Sequence, residues 1–479
     1  MTAPLLRVIE VVRRERPYKL RMPFRFGVMT ATHGRQAAVA VRIRLADGRE
    51  GTGFAAEALG AKWFDKNPSL SDDDNHHQLR KAIELAGEAY MAEGSSTAFG
   101  LFARTYQSHV AACAALDLNP LVASYGPALI DRGVLDALCR ILGVSFYQAM
   151  RDNLAGMAPH ELAPELKGFD FIAFLSDLEP AASMDVRHTV GLVDPITRQD
   201  QTERVDDGLP ETLEEVVAGY GNRYFKIKVS GDDAADFERL ERIAAVLDRS
   251  AEPYFVTLDG NEQYEDEEAP ARFLNRLQES QRLQRFRSSL LYLEQPIKRA
   301  MALARPVGAL AAMVPVIIDE SDGELSSFPN ARSLGYAGVS SKACKGFYKS
   351  LINLARCRMW NGEGGRYFMS AEDLTCEPGV ALQQDLALVN LLGLTHVERN
   401  AHHFIDGFGG RPEAEALAYQ KAHRDLYRLQ DGRVRLAITG GRIKIGSLAC
   451  SGFGSNVVPM LEAMELMPAA NWPRTGRAG

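Results

Sequence analysis

Five short charged motifs follow one another in the chain: Lys226-Ile227-Lys228, Asp259-Gly260-Asn261, Glu294-Gln295-Pro296, Asp319-Glu320-Ser321 and Lys342-Ala343-Cys344-Lys345. Each closes a short apolar run. From Lys228 it is 31 residues to Asp259, 35 more to Glu294, 25 to Asp319 and 23 to Lys342. A strand, a helix and two loops fill a stride of this size, which is the stride of a (β/α) barrel. In such a barrel every strand C-terminus opens on one face, so three carboxylates and the lysines of the two flanking strands converge on one pocket. Three acids there point to a divalent cation with oxygen ligands, and lysines beside them point to bases.

The elements that must position these residues are legible as alternating apolar runs and helical stretches. Barrel strands are predicted near 188–194, 223–229, 254–259, 290–294, 315–319, 336–342, 366–370 and 394–404, with helices between them. Upstream, residues 5–57 alternate as an antiparallel sheet, interrupted by a polar and aromatic stretch from Tyr18 to His33 that reads as a loop. Helical periodicity follows over about 75–116 and 127–150. After Gly410, short strands are expected at Arg433–Ile438 and Arg442–Ile445, with the tail returning to the amino-terminal sheet. The fold class is therefore α/β: a TIM-type barrel with an α+β capping domain. Residues 1–185 read as the cap, 186–410 as the barrel with the active site, and 411–479 as the last barrel helix region and the return to the cap. No GxGxxG follows the first barrel strand, which argues against a dinucleotide fold.

Composition narrows the partners. The 479 residues are 46% hydrophobic and 24% charged with a net charge of −7, so nothing draws the chain to nucleic acid or an anionic membrane. Six scattered cysteines without a CxxC pair fit reduced thiols in the cytoplasm. No leader and no apolar run of membrane-spanning length is evident, so a cytoplasmic protein is expected. Homo-oligomerisation is compatible with all of this.

Taken together, KIK, LDGN, LEQP, IDES and SSKACKG resemble the barrel motifs of the enolase superfamily, in its muconate-lactonizing-enzyme-like and mandelate-racemase-like branch. ADGREGTGFAAE resembles the cap hairpin of that family, and GPALIDRGVLDALCRILGVSFYQAM the helix leading from cap to barrel. The resemblance implies Mg²⁺ held by Asp259, Glu294 and Asp319, and a small carboxylate substrate whose α-proton is removed to give an enediolate. It implies Lys228 as one base and Lys226 as the neighbour that depresses its pKa and helps to hold the enolate. Lys342 would be a second base, facing the substrate from across the barrel mouth. Two opposed bases suit racemisation or epimerisation. Dehydration of an acid sugar or a succinylbenzoate-type substrate, or lactone cycloisomerisation, would share the first half-reaction. A non-catalytic relative is the remaining alternative.

The chain departs from the family in length, with extra residues at about Asn67–Val122 and Asn153–Asp185 on the cap side. Arg25, between Phe24 and Phe26, is a candidate for substrate recognition. Asn261 and Glu320 are candidates for orienting the ligands or Lys342. Lys345 and Lys349 are expected on a solvated helix, and His402 and His403 are expected to be packed rather than functional.

Overall fold

The computed structural model describes residues 2–473 apart from Val28. The amino-terminal sheet is built from β1 (Leu6–Phe26), β2 (Met29–Leu45) and β3 (Glu50–Ala58). Eight parallel strands then close into a barrel: β4 (Ser183–Val190), β5 (Tyr224–Lys228), β6 (Phe255–Asp259), β7 (Leu290–Glu294), β8 (Val316–Ile318), β9 (Gly338–Ser341), β10 (Phe368–Ala371) and β11 (His396–Arg399). Closure is direct, with His396 to Arg399 of β11 in parallel register with Asp185 to His188 of β4. The predicted barrel and cap are thus present, although the first strand begins five residues earlier than expected. Polar Arg187 and Thr189 on the inward face of β4 obscured that strand's apolar signal.

Three long helices, Asp72–Ala92, Ala98–Ala114 and Pro120–Leu142, cover the amino-terminal sheet. The third starts where the Asn119 side chain accepts from the Leu121 and Val122 amides with Pro120 at the first helical position, and it stops at left-handed Gly143. Pro127 inside this helix has no N–H for the Ala123 carbonyl; His109 Nε2 donates to that oxygen instead, at 2.9 Å. Gly53 on β3 lets sheet and helix meet, since a Cβ there would lie 2.1 Å from Ala137 N and 2.2 Å from Gly133 O. Among the described residues no helix is long and apolar enough to cross a membrane.

One expectation is corrected. The Tyr18–His33 stretch is a paired hairpin rather than a loop: β1 and β2 stay in register to Lys19↔His33 and resume from Phe24↔Ala31 to Phe26↔Met29. Its apolar residues Leu20 and Phe24 seat against Ala401, Phe404 and Ile405, with Phe24 stacked on Phe404 at 4.3 Å. That distant support is invisible to local patterning. The carboxy-terminal strands divide their partners. Among the described residues β12 (Tyr427–Gln430) pairs with β13 (Arg433–Leu436) alone, and β14 (Arg442–Lys444) adds antiparallel to β4 of the barrel. The tail itself returns to the amino-terminal sheet as expected: β15 (Glu465–Leu466) pairs beside Arg14 and Glu15, Arg14 donates to the Met464 carbonyl and the Met467 amide to the Arg13 carbonyl.

Candidate active site

Alternation along each strand decides which side chains enter the barrel. On β5, Lys226 and Lys228 point inward while Phe225 and Ile227 pack outward. The same rule places Asp259, Glu294, Ser340 and Glu398 inside, and Asp319 and Lys342 follow directly on β8 and β9. The register of β5 with β6 sets Lys228 opposite Asp259, and that of β6 with β7 sets Asp259 opposite Glu294. All three acids are fully buried.

The charges interlock. Lys226 Nζ lies 2.9 Å from Asp259, 2.8 Å from Glu294, 2.7 Å from Glu372 and 3.1 Å from Glu398. Burial pulls this ammonium down, but four carboxylates outweigh it and hold its pKa well above the usual lysine value. Lys228 Nζ donates to Asp259 Oδ2 over 2.6 Å. On the other side, Lys342 and Ser340 contact Asp319, and Lys345 Nζ lies 3.2 Å from its Oδ1. Burial favours the neutral acid in both Asp259 and Asp319. Lysines overcome it, Lys226 and Lys228 at Asp259 and chiefly Lys342 and Lys345 at Asp319, so both titrate below the ordinary range. Glu294 goes the other way, raised by burial and by the neighbouring Asp259 and Glu372.

Loop geometry supports these side chains. Gln295, in left-handed backbone at φ 33°, accepts from the Asp319 and Ser321 amides with Oε1 and donates from Nε2 to Ser321, tying the ends of β7 and β8 together. Asn261 donates to Glu320 Oε1 at 3.1 Å, and both are buried. Lys66 Nζ reaches Glu262 at 2.6 Å and the Asn261 carbonyl at 2.7 Å, while Arg299 donates to the carbonyls of Trp63 and Phe64. These contacts pin the cap loop to the barrel mouth, where the Trp63 ring lies 4.2 Å from Lys342 Nζ.

Lys226, Lys228 and Lys342 form the floor of one cavity, with Glu398 and Asn400 beside them and Trp63, Phe24 and Phe26 above. Arg25 does not belong to it. Strand alternation turns Phe24 and Phe26 inward and leaves Arg25 exposed; Arg21 is the residue that anchors the hairpin, through Asp207 at 2.5 Å and the His403 carbonyl at 2.8 Å. Lys345 and Lys349, expected in solvent, are 2% and 5% exposed because Asp319 and Asp322 draw them inward. His402 and His403 lie outside the barrel, packed against His188. Glu372 and Glu398 also face the barrel interior, each against Lys226. Both close apolar runs, HVE and FMSAE, and that position was the available signal.

The donors suit a hard cation, being three buried carboxylates on consecutive strand ends. The acids are not drawn around one point, however: among the described residues no cluster of three or more His, Cys, Asp or Glu side chains has metal-holding geometry. Lysine ammonium groups lie between them instead.

Neither a family model nor a curated protein matches the sequence. Solved structures do. The dipeptide epimerase of Enterococcus faecalis V583, complexed with Mg and L-Leu-L-Tyr, aligns over 94% of this chain and 99% of its own at a TM-score of 0.59 and 15% identity. The muconate lactonizing enzyme of Pseudomonas fluorescens, complexed with muconolactone, aligns over 95% and 98% at 0.59 and 15% identity. An enolase from Bradyrhizobium, complexed with magnesium and mandelic acid, aligns over 97% and 98% at 0.58 and 15% identity. The fold is that of these solved structures, a (β/α) barrel with an α+β cap. Barrel and cap are shared together, since the alignments run nearly from end to end of both chains.

Proposed function

We propose that this chain is an enolase-superfamily enzyme that removes the α-proton of a small carboxylate substrate and returns a proton to the same carbon, as a racemase or epimerase. The observation that carries the reading is the placement of Lys228 and Lys342. They close strands β5 and β9 and line one cavity, and the acids Asp259, Glu294 and Asp319 end the three strands between them. Epimerisation of a dipeptide, lactonisation and mandelate binding among the similar structures support the same general chemistry at a carboxylate's α-carbon.

Asp259, Glu294 and Asp319 would hold Mg²⁺. When bound, the ion would neutralise the charge that develops on the substrate carboxylate as the α-proton leaves. Lys228 takes the proton on one face and Lys342 serves the opposite face. Lys226, buried among four carboxylates, supplies a fixed positive charge beneath the reacting carbon. Trp63 and the Phe24–Phe26 hairpin cover the cavity and limit water, and their aromatic faces support a substrate with an apolar α-substituent. Six free cysteines support a reducing, cytoplasmic setting.

The test is incubation of the protein with Mg²⁺ and a panel of α-substituted carboxylates in D₂O. Deuterium entering the α-position without loss of water or ring closure supports racemisation or epimerisation. Exchange accompanied by an eliminated or cyclised product would favour dehydration or cycloisomerisation, and no exchange with any member would count against the reading.

A further inference from the structure

A second cavity lies outside the barrel, between the carboxy-terminal hairpin β12–β13 and the helix Ala401–Phe404, lined by Tyr220, His402, Arg399, Arg428, Gln430 and Arg435 among others. Among the described residues no carboxylate lines it, although Arg428 also borders a neighbouring cleft that holds Asp206, Glu211 and Glu215. Arg428 and Arg435 are directly opposed across the hairpin, a like-charge pairing that costs stability unless something neutralises it.

Arg435 is neutralised, by Asp406 at 2.8 Å and Asp431 at 3.3 Å. Arg428 is not. It has no hydrogen-bond or ion-pair partner among the described residues, and its Nε is shut away from solvent. The nearby acids are already engaged: Asp207 with Arg21, and Glu211 and Glu215 with Arg204. Arg399 is held by Asp373 and Asp385. His402 faces the same cavity with both ring nitrogens buried and unpartnered.

An unpaired guanidinium and an imidazole with an N–H to donate, beside a cavity without carboxylates among the described residues, are matched by one class of ligand, an oxyanion able to take a forked guanidinium contact. We propose that this cavity binds a small oxyanion, phosphate or carboxylate, seated on Arg428 and His402, and that occupancy steadies the hairpin covering the barrel mouth. The link is physical. His402 belongs to the helix Ala401–Phe404, whose Phe404 stacks on Phe24 and whose His403 carbonyl accepts from Arg21. Asn400, at the start of that helix, lines the barrel cavity.

The experiment is isothermal titration calorimetry of the full chain with inorganic phosphate and, separately, succinate, at fixed ionic strength, alongside Arg428→Gln and Arg428→Lys. Amide hydrogen exchange is followed over residues 18–26. One anion should bind per chain. Affinity should fall about tenfold or more in Arg428→Gln and less in Arg428→Lys, which keeps the charge but loses the fork. Hydrogen exchange in the hairpin should slow on binding to the wild type. If Arg428→Gln does not fold, Arg428→Lys carries the comparison. Absence of saturable binding for both anions, or equal affinity in wild type and a folded Arg428 variant, would overturn the site. Binding without hairpin protection would overturn its connection to the barrel mouth.

Discussion

Lys228 and Asp259 face each other in register on adjacent parallel strands, with Nζ 2.6 Å from Oδ2. The candidate base and a candidate metal ligand are therefore held by one backbone ladder, and neither can move along its strand without the other. Glu294 is the next rung, opposite Asp259.

Glu294→Gln should weaken Mn²⁺ or Mg²⁺ binding at least about a hundredfold, because a ligand carboxylate becomes a neutral amide at the middle of three. The side chain is fully buried and nearly isosteric with its replacement. Titration calorimetry with Mn²⁺ reads the affinity, and unchanged thermal unfolding of the apoprotein confirms that the barrel is intact.

Arg21→Ala should raise KM about tenfold with a smaller effect on metal affinity, since it removes the hairpin's ties to Asp207 and the His403 carbonyl. Arg25→Ala, on the outward face, should change either constant less than about twofold. Steady-state kinetics on the two variants side by side separate anchor from surface residue.

The barrel and the acids and lysines that face its interior are legible because most of them stand at or beside the end of an apolar run. Period-two alternation carried Lys226 and Lys228 to one face, and no distant contact was needed to see it. What escaped depended on such contacts. The hairpin through Phe24 is extended because Phe404, some 380 residues away in sequence, supports it. Lys345 and Lys349 looked like a solvated helix face, yet Asp319 and Asp322 bury them. Arg25 looked poised for substrate only while its strand was read as a loop.

Buried His188 has an unpartnered Nδ1, and burial depresses its pKa from 6.5 to about 3. The unfolded chain binds this proton below about pH 6.5 and the folded chain does not until about pH 3, so its contribution to stability is present above 6.5 and lost as pH falls through that window. The full effect is at most roughly 5 kcal/mol. Denaturant melts from pH 7 to pH 4 should show a shallower loss of stability in His188→Phe than in wild type. Parallel curves would contradict the assignment.

The most direct measurement is stereospecific α-proton exchange in D₂O by NMR, with Mg²⁺ and an exchanging substrate, in Lys228→Ala and Lys342→Ala. With two opposed bases, Lys228→Ala should lose exchange of one enantiomer and retain it with the other, and Lys342→Ala should show the reverse. Each variant should lose racemisation by about three orders of magnitude or more. Full racemisation in either variant, or loss of exchange with both enantiomers in one and neither in the other, would contradict the account.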